Sequence, residues 1–133
     1  MTVIADAGYL VALLSPSDQW HSWAVAHAPQ LGHPWITCEA VLAETWHTLK
    51  RRDGGKVVEL LRRGVLSPRF DLGDNLESVL DLVDKYQDVP MSVADACLVR
   101  MSEIFPDPVV ITTDSHFTIY RRHSRQVIPC LMP

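Results

Sequence analysis

The sequence predicts an α/β domain organised around a parallel sheet. Two observations carry that reading. Short apolar runs alternate with longer stretches in which apolar residues recur every three or four positions, and Gly, Pro or Asp residues punctuate the joins. A third observation sets the scale: 133 residues, 47% of them hydrophobic, with no repeat and no linker, make one domain over residues 1–133 with a real core.

The elements follow in order. Thr2, Val3, Ile4 and Ala5 read as a buried strand, followed by a helix over about residues 8–14. Pro16-Ser17-Asp18 is a breaker and cap, after which Trp20, Trp23, Ala24, His27 and Leu31 recur at helical spacing. A second strand over 34–37 leads into a helix over 38–52, and Asp53-Gly54-Gly55 reads as a turn. Val57, Leu60 and Leu61 mark another helix, with a short strand expected near 69–72. Leu76, Val79, Leu80 and Val83 mark the next helix, with Glu77, Asp81 and Lys85 on its opposite face. Beyond Pro90, residues 92–105 are expected to be helical and 109–112 form the clearest strand. A short helix over 116–121 and a strand over 127–129 complete the chain.

Composition narrows the class. Cys38, Cys97 and Cys130 include no C-x-x-C pair, which argues against a disulfide framework or zinc knuckle and for buried thiols in a reducing compartment. The uncharged run from Ala7 to Ser17 contains Pro16 and falls short of the ~18 residues of a membrane helix. The N-terminus lacks a basic n-region, so a soluble, cytoplasmic protein is expected. The net charge of −4 speaks weakly against nucleic acid, yet Lys50-Arg51-Arg52, Arg62-Arg63 and Arg121-Arg122 with Arg125 are clustered. Such clusters steer phosphates locally or simply form solvated faces.

Four acids stand out: Asp6, Glu44, Asp95 and Asp114 each interrupt an apolar stretch. An ionised carboxylate buried alone costs several kcal/mol, so it is neutralised, paired or ligated to a metal. Asp6 and Asp114 follow the carboxyl ends of apolar strands, where open parallel sheets collect ligands. Each also fits a helix cap. Gly8 permits a tight turn or a close backbone approach. Glu44 lies on the shoulder of a face made by Val41, Leu42, Thr45, Trp46 and Leu49, although an exposed glutamate is the commonplace alternative. Glu44-x-x-His47 matches half of a di-iron motif whose second copy is missing. Asp95 edges the stripe of Ala94, Leu98, Met101 and Phe105, while Ser92-x-x-Asp95 also reads as a capping box. Four acids in the order strand, helix, helix, strand fit one pocket better than four unrelated caps.

The stretches I-A-D-A-G-Y-L-V-A-L-L, T-C-E-A-V-L-A-E-T-W, P-M-S-V-A-D-A-C-L-V and I-T-T-D-S-H-F-T-I-Y-R together resemble the PIN-domain nucleases, and within them the small VapC-like toxins. The resemblance covers nearly the whole chain. It implies a three-layer, Rossmann-like α/β/α sandwich with a mostly parallel sheet, and Mg²⁺- or Mn²⁺-dependent endonucleolytic cleavage of RNA. Asp6, Glu44, Asp95 and Asp114 fall on the family's acidic positions, and Thr112 on a supporting hydroxyl. Two departures are visible: Ala7 stands where many members carry Thr or Ser, and His116 where an acid is often seen. The resemblance further implies a homodimer and, for toxin members, a small antitoxin partner.

On this reading Asp6, Asp95 and Asp114 ligate the metal directly or through water. Glu44 orients the attacking water or ligates a second ion. Arg121 and Arg122, close behind Asp114, contact the RNA backbone. His47 and His116 either assist a leaving group or are structural, and Trp20 and Trp23 either stack on bases or pack in the core. The main rival is a PIN-like module that binds RNA or protein without cutting. A phosphatase is a weaker one, because Gly8 occupies the position where a second acid is needed.

Overall fold

A computed structural model describes residues 1–133, the side chain of Arg51 excepted. The Lys50-Arg51-Arg52 cluster therefore lies partly outside the described residues. Five parallel strands form the main sheet: β1 (Thr2–Ala5), β2 (Trp35–Thr37), β3 (Leu66–Pro68), β4 (Pro108–Ile111) and β7 (Cys130–Leu131). Their spatial order is β3-β2-β1-β4-β7. The helices are α1 (Ala7–Leu14), α2 (His21–His27), α3 (Glu39–Arg62), α4 (Leu76–Lys85) and α5 (Val93–Ile104). A separate two-stranded ribbon pairs β5 (Arg121–Arg122) with β6 (Gln126–Val127).

The chain steps from β1 outward to β3, then returns across the sheet to β4. Because parallel crossovers are right-handed, that reversal puts α1 and α3 on one face and α4 and α5 on the other. The sandwich expected from the sequence is the one observed. The reversal also opens a crevice between the carboxyl ends of β1 and β4, where open sheets bind ligands. The two strands run in register from Thr2–Pro108 to Ala5–Ile111, so the residues that follow them emerge side by side. Val3, Ile4, Ala5, Val110 and Ile111 are all essentially inaccessible. β1 and β4 are buried on both faces and so read as unbroken apolar runs.

Several boundaries move. Residues Asp53, Gly54 and Gly55 are helical, and α3 instead breaks at Lys50, whose φ of 54° and ψ of −147° leave the helical region. Tertiary contacts decide this. Asp53 is buried with its carboxylate 2.7 Å from Lys56 Nζ, and that ammonium also donates to the Leu14 carbonyl at 2.9 Å. Gly54 lets the Trp46 ring lie against the helix: a Cβ there would sit 3.2 Å from Cζ3. The expected strand near 69–72 lies at Leu66–Pro68 instead, because those residues pair with β2. The expected helix over 116–121 is a shorter 3₁₀ turn, Ser115–Thr118, and Arg121–Arg122 are extended. The last sheet strand is Cys130–Leu131, aligned on Val110 and Ile111, and Val127 belongs to the ribbon. On α4 the buried residues are Val79 and Leu82, while Leu76 and Leu80 are exposed. No helix among the described residues is long and apolar enough to cross a membrane.

Candidate active site

Asp6 is the first residue beyond β1, and its backbone N–H still donates to Ile111 of β4. Its carboxylate caps α1, Oδ1 accepting from Ala7 N–H at 2.7 Å, while Oδ2 accepts from the Thr112 hydroxyl at 2.6 Å. Thr112 is fully buried, and its Oγ1 also accepts the Asp114 N–H at 2.9 Å. One hydroxyl thus ties the acid after β1 to the acid after β4. Gly8 completes the junction, because a Cβ there would run into the Thr113 hydroxyl. That close approach holds the end of β4 against α1.

Asp95 enters from α5. Ser92 caps that helix, accepting from Asp95 N–H at 3.0 Å, so the capping reading of this pair is correct as far as the serine goes. The Asp95 carboxylate itself points elsewhere: Oδ2 accepts from the buried Tyr120 hydroxyl at 2.9 Å. Asp114 caps the 3₁₀ turn through His116 N–H at 2.9 Å, with His116 Nδ1 3.2 Å from the same oxygen. Glu44 projects from the exposed side of α3. The capping readings of Asp6 and Asp114 are therefore both observed, and Thr112 links the two acids as well.

Burial dominates the electrostatics of these acids, with neighbouring carboxylates adding to it. Asp6 is pushed up from 3.8 to about 7, chiefly by burial; the Thr112 hydroxyl pulls it down, Asp95 raises it, and Ala7 N–H and Asp114 make smaller opposing contributions. Glu44 is raised too, by desolvation first and then by Asp95 and Asp114. Burial and the bond to Asp95 push the Tyr120 hydroxyl far above its usual range, so it stays a donor. Among the described residues, no three His, Cys, Asp or Glu side chains close directly around one point.

Arg121 and Arg122 make local contacts. One Arg121 nitrogen, Nη1, donates to the carbonyls of Thr118, Ile119 and Tyr120 at 2.7, 3.1 and 3.0 Å, closing off the 3₁₀ turn. Arg122 is half-buried, with Nη2 3.4 Å from His123 Nε2. Sequence reasoning missed Tyr120. Tyr120 carried no spacing signal, because its link to Asp95 spans the rest of α5, β4 and the 3₁₀ turn. Thr113 was visible only as one more hydroxyl beside Thr112.

No family model matches the chain, and no curated protein matches it significantly in sequence. Its fold does have a solved counterpart. The crystal structure of Mycobacterium tuberculosis VapC20, a sarcin-ricin loop cleaving toxin, superposes with a TM-score of 0.71 at 21% identity, covering 89% of this chain and 94% of that one. The chain has the α/β architecture of that toxin.

Proposed function

We propose that this protein is a divalent-metal-dependent endoribonuclease of the PIN type, with Asp6, Glu44, Asp95 and Asp114 as its acidic machinery and Mg²⁺ or Mn²⁺ as its cofactor. The observation that carries the reading is the pair of acids that follow β1 and β4, Asp6 and Asp114, tied by the Thr112 hydroxyl at the crevice where the strand order reverses. Burial is the chief cause that raises Asp6 and Glu44, and Asp95 and Asp114 add to it at both. Carboxylates held together in this way invite a cation. The all-oxygen donor set fits Mg²⁺, which keeps most of its waters and needs only one or two protein carboxylates plus substrate phosphate. When bound, the ion supplies a lowered pKa for a coordinated water and charge to offset the phosphate.

The chain's own residues have separable tasks on this reading. Thr112 aligns Asp6 and Asp114, and its bond keeps Asp6 ionisable near neutral pH despite burial. Tyr120 fixes the Asp95 carboxylate by donating to one oxygen and leaves the other for the cation shell. Glu44, on the open side, orients or deprotonates the attacking water. Likeness in fold to a sarcin-ricin loop cleaving toxin supports RNA as the substrate, and the sequence resemblance makes a small antitoxin and a second copy of the chain the partners to seek.

The test is cleavage of a structured RNA, a sarcin-ricin loop oligonucleotide among the substrates, by purified protein with Mg²⁺, Mn²⁺ or chelator. Metal-dependent cutting that is lost in Asp6→Asn is expected. Cutting unchanged by chelator or by that substitution overturns the reading. RNA binding with no cutting in any metal favours the non-catalytic module.

A further inference from the structure

Beside the acids lies a second feature that metal chemistry does not use. A cleft of about 420 Å³ opens between α1, the loop before α2 and α3. That volume falls within the roughly 300–1,000 Å³ of small-ligand sites. Its inner wall is continuous with the acidic site. Ala7 follows Asp6, Thr113 precedes Asp114, and Glu44 borders both. Its outer wall carries Trp20, Gln19 and His47, all exposed.

The lining selects the occupant. It contains carboxylates (Asp18, Glu44) and no lysine or arginine, so it is a poor seat for a phosphate. It does offer an aromatic face together with amide and imidazole groups, which is the chemistry that holds an unstacked base. Trp23 and Trp35 both pack edge-on against Tyr9, with centroids at 5.9 and 5.7 Å. Trp20 instead lies at the surface, 38% exposed. It is not loosely held: Asp18 Oδ1 accepts its backbone N–H at 2.8 Å, fixing the loop that presents it to the cleft.

We propose that this cleft is a nucleobase subsite, in which the unpaired base next to the cleaved phosphate stacks on Trp20 and meets Gln19 and His47 at its edge. The inference rests on the nuclease reading for the identity of the ligand. It adds a requirement that the acids alone do not impose: the nucleotide at the cut must be out of a helix. It also names Trp20 as a base-stacking residue.

The experiment measures equilibrium binding of a fluorescein-labelled single-stranded RNA to the whole protein, with Ca²⁺ replacing Mg²⁺. A parallel series of the same RNA carries one abasic position at a time. Trp20→Ala is expected to weaken binding about 5- to 150-fold, the size of one stacked base, and Trp20→Phe to restore most of it. One abasic position should weaken the wild type by a similar factor and leave Trp20→Ala unaffected. The abasic arm needs no mutant protein, so a misfolded variant does not blur the answer. Equal binding by wild type and Trp20→Ala, no sensitive abasic position, or no RNA binding at all overturns the proposal. If the binding contrast holds but nothing is cut with Mg²⁺ or Mn²⁺, the nuclease reading fails while the subsite stands.

Discussion

Asp6→Asn should stabilise the metal-free protein while abolishing its activity. Asp6 is lifted from 3.8 to about 7 in the folded state, so between those values the native protein holds a proton that the unfolded chain has released. The sign follows from linkage. A carboxylate whose folded pKa is raised costs nothing below its unfolded pKa, and its penalty grows as pH climbs to the folded pKa. Three pH units at about 1.36 kcal/mol each set the full penalty at about 4 kcal/mol, reached above pH 7. Asparagine avoids it, but its amide must replace a carboxylate oxygen that accepts the Thr112 hydroxyl at 2.6 Å, and that loss offsets about 1–2 kcal/mol. A net gain of about 2–3 kcal/mol is expected at pH 8, shrinking towards zero or reversing near pH 4. Urea denaturation in chelator at several pH values measures it. A variant no more stable than wild type at pH 8, or a gap that does not widen as pH rises, would refute the reasoning.

Other consequences follow from the same geometry. Mg²⁺ should raise the wild-type melting temperature more at pH 8 than at pH 5, because it competes with the proton on Asp6; equal shifts at both values would count against the site. Thr112→Val removes the one hydroxyl that lowers the Asp6 pKa, so the acidic limb of the activity profile should move to higher pH, and an unchanged limb contradicts that role. Tyr120→Phe keeps the ring packed on Tyr86 and Phe117, with centroids at 5.1 and 5.2 Å, and should cost stability only about 1 kcal/mol while lowering kcat. Gly8→Ala should push Thr113 away and weaken metal binding, read as a smaller Mg²⁺-induced melting shift.

Most of the layered architecture was legible because β1 and β4 are buried on both faces and α1 and α5 carry continuous apolar patterns. The misplaced boundaries share a cause. At Asp53-Gly54-Gly55 local turn propensity lost to an ion pair with Lys56 and to the packing of Trp46, neither of which a window of sequence displays. β3 and β7 are short edge strands whose limits are set by pairing with β2 and β4 rather than by their own residues. On α4, Leu82 faces inward in place of Leu76 and Leu80, a rotation fixed by the helix beneath it. The acids were conspicuous because charge inside apolar runs is costly. Tyr120 and the cleft beside Trp20 were not, since both arise where elements distant in sequence meet.

Mn²⁺ binding followed by electron paramagnetic resonance, with and without RNA, in wild type and in Asp6→Asn, Asp95→Asn and Asp114→Asn, tests the proposed cation site directly. Saturable binding to the wild type is expected, weakened at least tenfold by each of the three substitutions. Undiminished Mn²⁺ binding in all three variants, or none in the wild type with RNA present, would contradict the proposed site.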